Sequence, residues 1–315
     1  MTTVQLASIG TNFTIYAGSV LFSLGFSGNI VTIYIFRKAR NTPITFILIM
    51  LSIANCLSLI VGLLNRILVA IVGIDPTLVS PIWCKLRVYI GQTSVLICQS
   101  CACLASVNCF LTTSRDIHRR RLVSLTRSRL SVLLIVILWL VHGLFNPILT
   151  ELVIIPGKSS TCSLTNLIAT TYTGFFLRPI LIGVFPISIL SIFGMLTYRN
   201  LHLMHHRRRF DQQIVCKMLL FQMIAYVVGT APYASFYAYQ TISSTLRVKS
   251  TIERAQESLS LDFINIIFYT PQASPFYVYY LSSGIFRKQV KDLFTFCAHN
   301  RVTPIAGNDN TEPKI

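Results

Sequence analysis

A chain of 315 residues that is 53% hydrophobic and only 12% charged cannot assemble the surface of a soluble domain, which is about one-quarter charged. The formal charge of +17 does not point to nucleic acid, because the basic residues lie between long apolar runs and not over one polar surface. With a mean hydropathy of +0.64, the chain belongs in a membrane.

Cutting the sequence at its charges leaves seven long uncharged segments, 1–36, 41–65, 88–114, 130–150, 179–198, 218–246 and 263–286. Each contains or forms a run near the roughly 20 apolar residues that a spanning helix needs. A further uncharged run, 159–177, is rich in Ser and Thr and reads as a loop. The expectation is an all-α integral membrane protein, a seven-transmembrane-helix bundle. No Lys or Arg precedes Arg37, and threading the spans leaves 19 of the 27 Lys and Arg on one side while the acids divide evenly. The excess of basic residues on the cytoplasmic side puts the N-terminus outside and the C-terminus inside. The first apolar run has no positive leader, so a cleaved signal peptide is not expected. The expected divisions are an extracellular N-terminus at 1–12, the membrane domain at 13–286, and a cytoplasmic segment at 287–315.

Along the chain, Asn12-Phe13-Thr14 is a glycosylation sequon. Asn29 in the first span and Asn55 in the second would lie at similar depth, and a pair between them would satisfy two carboxamides that hydrocarbon otherwise penalises. The third span runs from near Cys84 to Arg115, Arg119, Arg120 and Arg121. Cys98, Cys101 and Cys103 lie inside it at metal-ligand spacing, but with no fourth ligand they read as small hydrophobes. No metal and no cofactor are expected. Arg178-Pro179 stands near the outer end of the fifth span. Its guanidinium either snorkels to headgroups or faces the bundle, to pair with Asp262, Glu151 or a ligand carboxylate. His202, His205 and His206 adjoin Arg207 to Arg209, a basic face suited to anionic inner-leaflet lipid. After the seventh span, Phe286, Val290, Leu293, Phe294 and Cys297 recur at helical spacing between charged residues, the pattern of a short amphipathic eighth helix on the inner leaflet, with Cys297 as its lipidation candidate.

In this order the chain resembles a rhodopsin-like G-protein-coupled receptor. The resemblance rests on Gly28-Asn29, on Leu51-Ser52-Ile53-Ala54-Asn55, on Cys84, Trp139, Pro186, Pro232 and Pro275, and on Phe286-Arg287. It covers residues 13 to about 297. It implies a plasma-membrane receptor, not an enzyme, that binds an extracellular peptide or small chemosensory molecule and signals to a heterotrimeric G protein, with arrestin as a further partner. The run from Asn108-Cys109-Phe110 to the clustered arginines is similar to invertebrate peptide-type and orphan receptors. The family's disulfide would join Cys84 to Cys162, the two cysteines that the topology places outside. Its ligand site would draw on Gly91, Gln92, Val95, Arg178, Tyr233, Tyr237 and Asp262, and its coupling face on Asn108, Cys109, Phe110 and Arg115.

The departures from the family pattern narrow the function. Aminergic receptors have an Asp where this chain has Gly91, and visual pigments have a seventh-span Lys that 263–286 lacks. Cys109 stands where the family has its third-span Arg, Thr230 where it has its sixth-span Trp, and Asn55 where it has the carboxylate of its sodium site. The expectation is no sodium effect on ligand affinity, and either weak coupling or raised basal signalling. The alternatives are a receptor fold that does not couple, or a non-receptor seven-span transporter, although the mid-span acids that a transporter would use are absent.

Overall fold

The computed structural model describes residues 2–37, 42–153, 161–203 and 210–299. Its elements are α1 (Thr3–Arg37), α2 (Pro43–Val72), α3 (Pro81–Thr113), α4 (Leu125–Leu149), a hairpin of β1 (Thr150–Val153) and β2 (Thr161–Leu164), α5 (Leu167–His202), α6 (Phe210–Leu246), α7 (Thr251–Ala273), α8 (Pro275–Ser282) and α9 (Gly284–His299). Helix starts follow their caps. Thr42 precedes Pro43 and accepts from the Thr45 N–H; Ser80 precedes Pro81 and accepts from the Trp83 N–H; Ser250 and Glu253 close a reciprocal capping box.

Among the described residues six helices, α1 to α6, are long and apolar enough to cross a bilayer, and the chain is a multi-pass membrane protein. Sequence counting gives seven. The difference lies in α7, whose first half carries Glu253, Arg254, Glu257 and Asp262, and which is interrupted at Ser274 before Pro275 opens α8. Even so, α7 packs along α1 and α6 as part of the bundle, and α3 runs through its middle against α2, α4, α5 and α6. α1 begins at Thr3, so residues 3–12 are helix continuous with the first span. One further expectation changes. The 159–177 run is not a loop throughout: it contains β2, held by pairing with β1, and the start of α5, capped by Asn166.

In hydrocarbon a backbone carbonyl with no donor is costly, and proline removes a donor from the helix ladder. The bundle answers this repeatedly with side chains. Pro147 has no N–H for the Gly143 carbonyl, which accepts from Asn146 Nδ2 at 3.1 Å. At the end of the π-wound stretch of α5, just before Pro186, Gln99 of α3 donates to the Ile182 carbonyl at 3.0 Å. Pro275 leaves the Pro271 carbonyl free, and Gln222 of α6 donates to it at 2.7 Å. Between Thr173 and Val184, α5 is wound as a π-helix. In that register the Gly174 carbonyl would look to Pro179, and Thr241 of α6 donates instead at 3.2 Å. Three of these four bonds tie one helix to another.

The same logic joins α1, α2, α6 and α7. Asn29 Nδ2 donates to the Gly25 carbonyl at 2.8 Å and to the Gln272 carbonyl, beside the α7 break, at 2.9 Å. Asn55 Nδ2 donates to Asn29 Oδ1 at 3.3 Å, which bears out the pairing expected of the two asparagines, and the Tyr226 hydroxyl of α6 donates to Asn55 Oδ1 at 3.2 Å. Helices approach closely where this needs it. A Cβ at Gly229 would run into the Pro271 ring, so only glycine lets α6 lie this near α7. Asn29→Ala removes two donated bonds and one accepted bond in a buried network. It is expected to lower stability by about 1–3 kcal/mol, read as a fall in the thermal midpoint of the detergent-solubilised protein, whereas substituting exposed Tyr34 should leave the midpoint in place.

Candidate functional site

The disulfide Cys84–Cys162, with Cα atoms 5.9 Å apart, pins β2 to the first turn of α3. With the register Leu152↔Cys162, this link lays both strands across one end of the bundle. Beside it lies a cavity of about 880 Å³, bounded by β2, the π-wound start of α5, the end of α6, and the segment leading into α7. That volume lies within the usual size range of small-molecule sites. The π winding matters here because it rotates side chains off the ordinary helical positions, and it carries Thr173, Gly174, Phe175 and Arg178 to the cavity wall.

Arg178 finds an aromatic partner. Its guanidinium carbon sits 4.6 Å from the centre of the Tyr237 ring, within cation–π range. Tyr237 lies 4.5 Å from Tyr233, which stacks on Phe268 of α7 at 4.1 Å, centre to centre. Further round, Lys249 pairs with Glu257 at 2.6 Å with both side chains nearly enclosed, and Arg247 pairs with Glu253 at 3.0 Å. The backbone N–H of Ser250 holds the Glu253 carboxyl below its ordinary range. On the α2–α3 side of the same end, Arg87 pairs with Asp75 at 3.5 Å. Gly62, in a π-wound turn of α2, leaves room for the Tyr269 hydroxyl of α7.

Of the residues expected at the ligand site, Arg178, Tyr233 and Tyr237 come together. Val95 is buried in the cluster against which Tyr233 packs. Gly91 faces Val61 of α2, and the half-buried Gln92 has a side-chain N–H group without a partner among the described residues. Asp262 is set apart. Its carboxylate points at Gly10 of α1, and neither Asp262 nor Glu151 forms an ion pair with Arg178 among the described residues. Lys249, Arg254, Glu257 and Thr241 line the cavity without having been singled out by sequence. For Lys249 and Arg254 the signal was the density of charge in 247–254, directly after a span.

At the opposite, arginine-rich end, Asn108 turns back to its own helix, donating to the Leu104 carbonyl at 2.9 Å. Cys109 is fully enclosed, with its thiol against that of Cys216 on α6. Phe110 packs on Phe193 of α5 at 5.5 Å. Arg115 Nη2 donates to the Leu203 carbonyl at 3.1 Å, joining the end of α3 to the end of α5. In α9, Phe286 and Val290 are buried on the bundle, Phe286 against Phe36, Phe276 and Tyr279, while Arg287, Lys288 and Lys291 are exposed. The side chain of Cys297, and residues His205 and His206, lie outside what the structure describes. Asn12 is exposed, but it sits inside α1 with Thr14 buried, not in the surface loop where a sequon is ordinarily read. No protein-family model matches the chain, and no curated protein matches it.

Maleimide labelling of the intact, unreduced protein is expected to leave Cys84 and Cys162 unmodified and to modify both after reduction and unfolding. Ready labelling of either before reduction would contradict the disulfide.

Proposed function

We propose that the chain is a rhodopsin-like G-protein-coupled receptor: seven spans with α7 and α8 together forming the last, α9 as an amphipathic helix on the inner leaflet, and the N-terminus outside the plasma membrane. The observation that carries this proposal is the Cys84–Cys162 bond, which ties a hairpin between the fourth and fifth helices to the start of the third and so frames a cavity opening to that end. A disulfide belongs on the oxidising side of a membrane, and the positive-inside bias independently puts the arginine-rich end in the cytoplasm. The two arguments agree on orientation.

In this scheme an extracellular ligand contacts Arg178, Tyr233 and Tyr237, on α5 and α6, and shifts the population of a state in which α6 moves at its cytoplasmic end. The link is Tyr226, four residues before the Thr230 that replaces the family's Trp. Its hydroxyl holds α6 to Asn55, so α6 cannot swing without breaking or moving that bond. A heterotrimeric G protein would then meet Asn108, Cys109, Phe110 and Arg115. The enclosed Cys109–Cys216 contact favours a second reading, a receptor fold that does not couple, because an uncharged thiol pair occupies the place of the family's arginine.

Nucleotide exchange by purified G proteins, measured on the full chain in vesicles, tests the proposal. Tyr226→Phe removes an interhelical bond of about 0.6–1.7 kcal/mol, an about 3- to 18-fold shift in the equilibrium if the bond is made only at rest. Basal exchange is expected to rise within that range. Exchange no higher than with empty vesicles, for the parent and the variant and for every G-protein class, selects the non-coupling reading. Asn55 supplies no charge to offset a dehydrated cation, so thermal stability and ligand affinity are expected to be the same in sodium as in an equal concentration of N-methyl-D-glucamine. A severalfold sodium effect that disappears in Asn55→Ala would overturn this.

A further inference from the structure

The charges around the disulfide-end cavity are unevenly committed. Among the described residues Arg178, Arg247, Lys249 and Arg254 line it, against the single acid Glu257. Glu257 is already held by Lys249, and Arg247 by Glu253. Among the described residues Arg178 and Arg254 have no carboxylate within 4.0 Å. Tyr237 covers one face of the Arg178 guanidinium, and a cation–π contact of this kind leaves the N–H edge free to donate.

We infer that this cavity takes a small organic anion, an apolar body carrying an acidic group, with the acidic group on the Arg178 guanidinium and Arg254 as the second cation. The inference rests on the receptor proposal for the ligand's role as a trigger; binding itself requires no coupling. The neutral hydroxyl of Ser163 lines the same space and suits an oxygen of a carboxylate, sulfonate or phosphate, while the Thr241 and Thr245 hydroxyls donate to the Gly174 and Thr241 carbonyls, and Phe175 and Val248 offer apolar wall. A cationic ligand is disfavoured for a specific reason. Among the residues described at the cavity wall its acidic partner would be Glu257, and taking that carboxylate would strand the ammonium of Lys249, whose side chain is 7% exposed. Breaking an enclosed pair in this way is strongly unfavourable.

The test uses the full chain in nanodiscs of uncharged phosphatidylcholine, so that no lipid anion competes. The probe is dansylglycine, set against its uncharged amide and against the cationic dansyl-ethylenediamine, with binding read from dansyl fluorescence. The expected result is that the carboxylate binds at least tenfold more tightly than the amide and the cation, and weakens as salt is added. Arg178→Gln should remove the preference, Arg178→Lys should keep part of it, and Arg254→Gln should reduce it less than Arg178→Gln. If Arg178→Gln does not yield a monodisperse protein, the parent's preference and its partial retention in Arg178→Lys decide the matter. Equal or tighter binding of the amide or the cation, or no binding of the carboxylate up to its solubility, overturns the inference. G-protein exchange plays no part in this readout, so failure of coupling and failure of anion binding are seen separately.

Discussion

A carbonyl that proline has deprived of its donor must find another one inside the protein, because the bilayer offers none. That constraint organises this bundle. Pro275 and, through the π register, Pro179 each free a carbonyl, and Gln222 and Thr241 take them from a neighbouring helix; Gln99 does the same for the Ile182 carbonyl where the π winding ends. The hydrophobic effect cannot choose between helix faces in lipid, since the tails are as apolar as leucine. Polar bonds of this kind can. They set α3 against α5, α5 against α6, and α6 against α7.

The position of the cavity follows from the same ties. Pro179 and the π winding around it turn Arg178 toward Tyr237, and Thr241 anchors α6 at that level. The disulfide then holds the hairpin beside the opening. One end is thus braced by a covalent bond, ion pairs and stacked aromatic rings. The other is held by the Arg115–Leu203 bond, by the thiol contact of Cys109 and Cys216, and by packing.

Much of the scaffold was legible in composition and charge order, because apolar length and the placement of Lys and Arg are properties of sequence alone. The Asn29–Asn55 pair was legible too, since a carboxamide in an apolar run has few ways to be satisfied. The charge on α7 and its break at Ser274 blur the last span, where simple counting of uncharged runs had drawn it cleanly. Orientation about a helix axis was the other gap. Asp262 shares a helix with cavity-facing Glu257 but turns to Gly10 of α1, and the register shift in α5 that aims Arg178 leaves no trace in hydrophobic periodicity. The partner of Arg178 was sought among acids, and it is the face of a tyrosine.

A double-mutant cycle on Gln222 and Pro275 tests the organising constraint most directly. Pro275→Ala restores an N–H for the Pro271 carbonyl, so the Gln222 bond to that carbonyl loses its purpose. Unfolding of the four proteins in one detergent is expected to show Gln222→Leu destabilising the parent and doing so much less beside Pro275→Ala, with a coupling of about 0.5–2 kcal/mol. Costs that add to within about 0.3 kcal/mol would contradict the view that side chains of neighbouring helices hold this bundle by completing its broken helices.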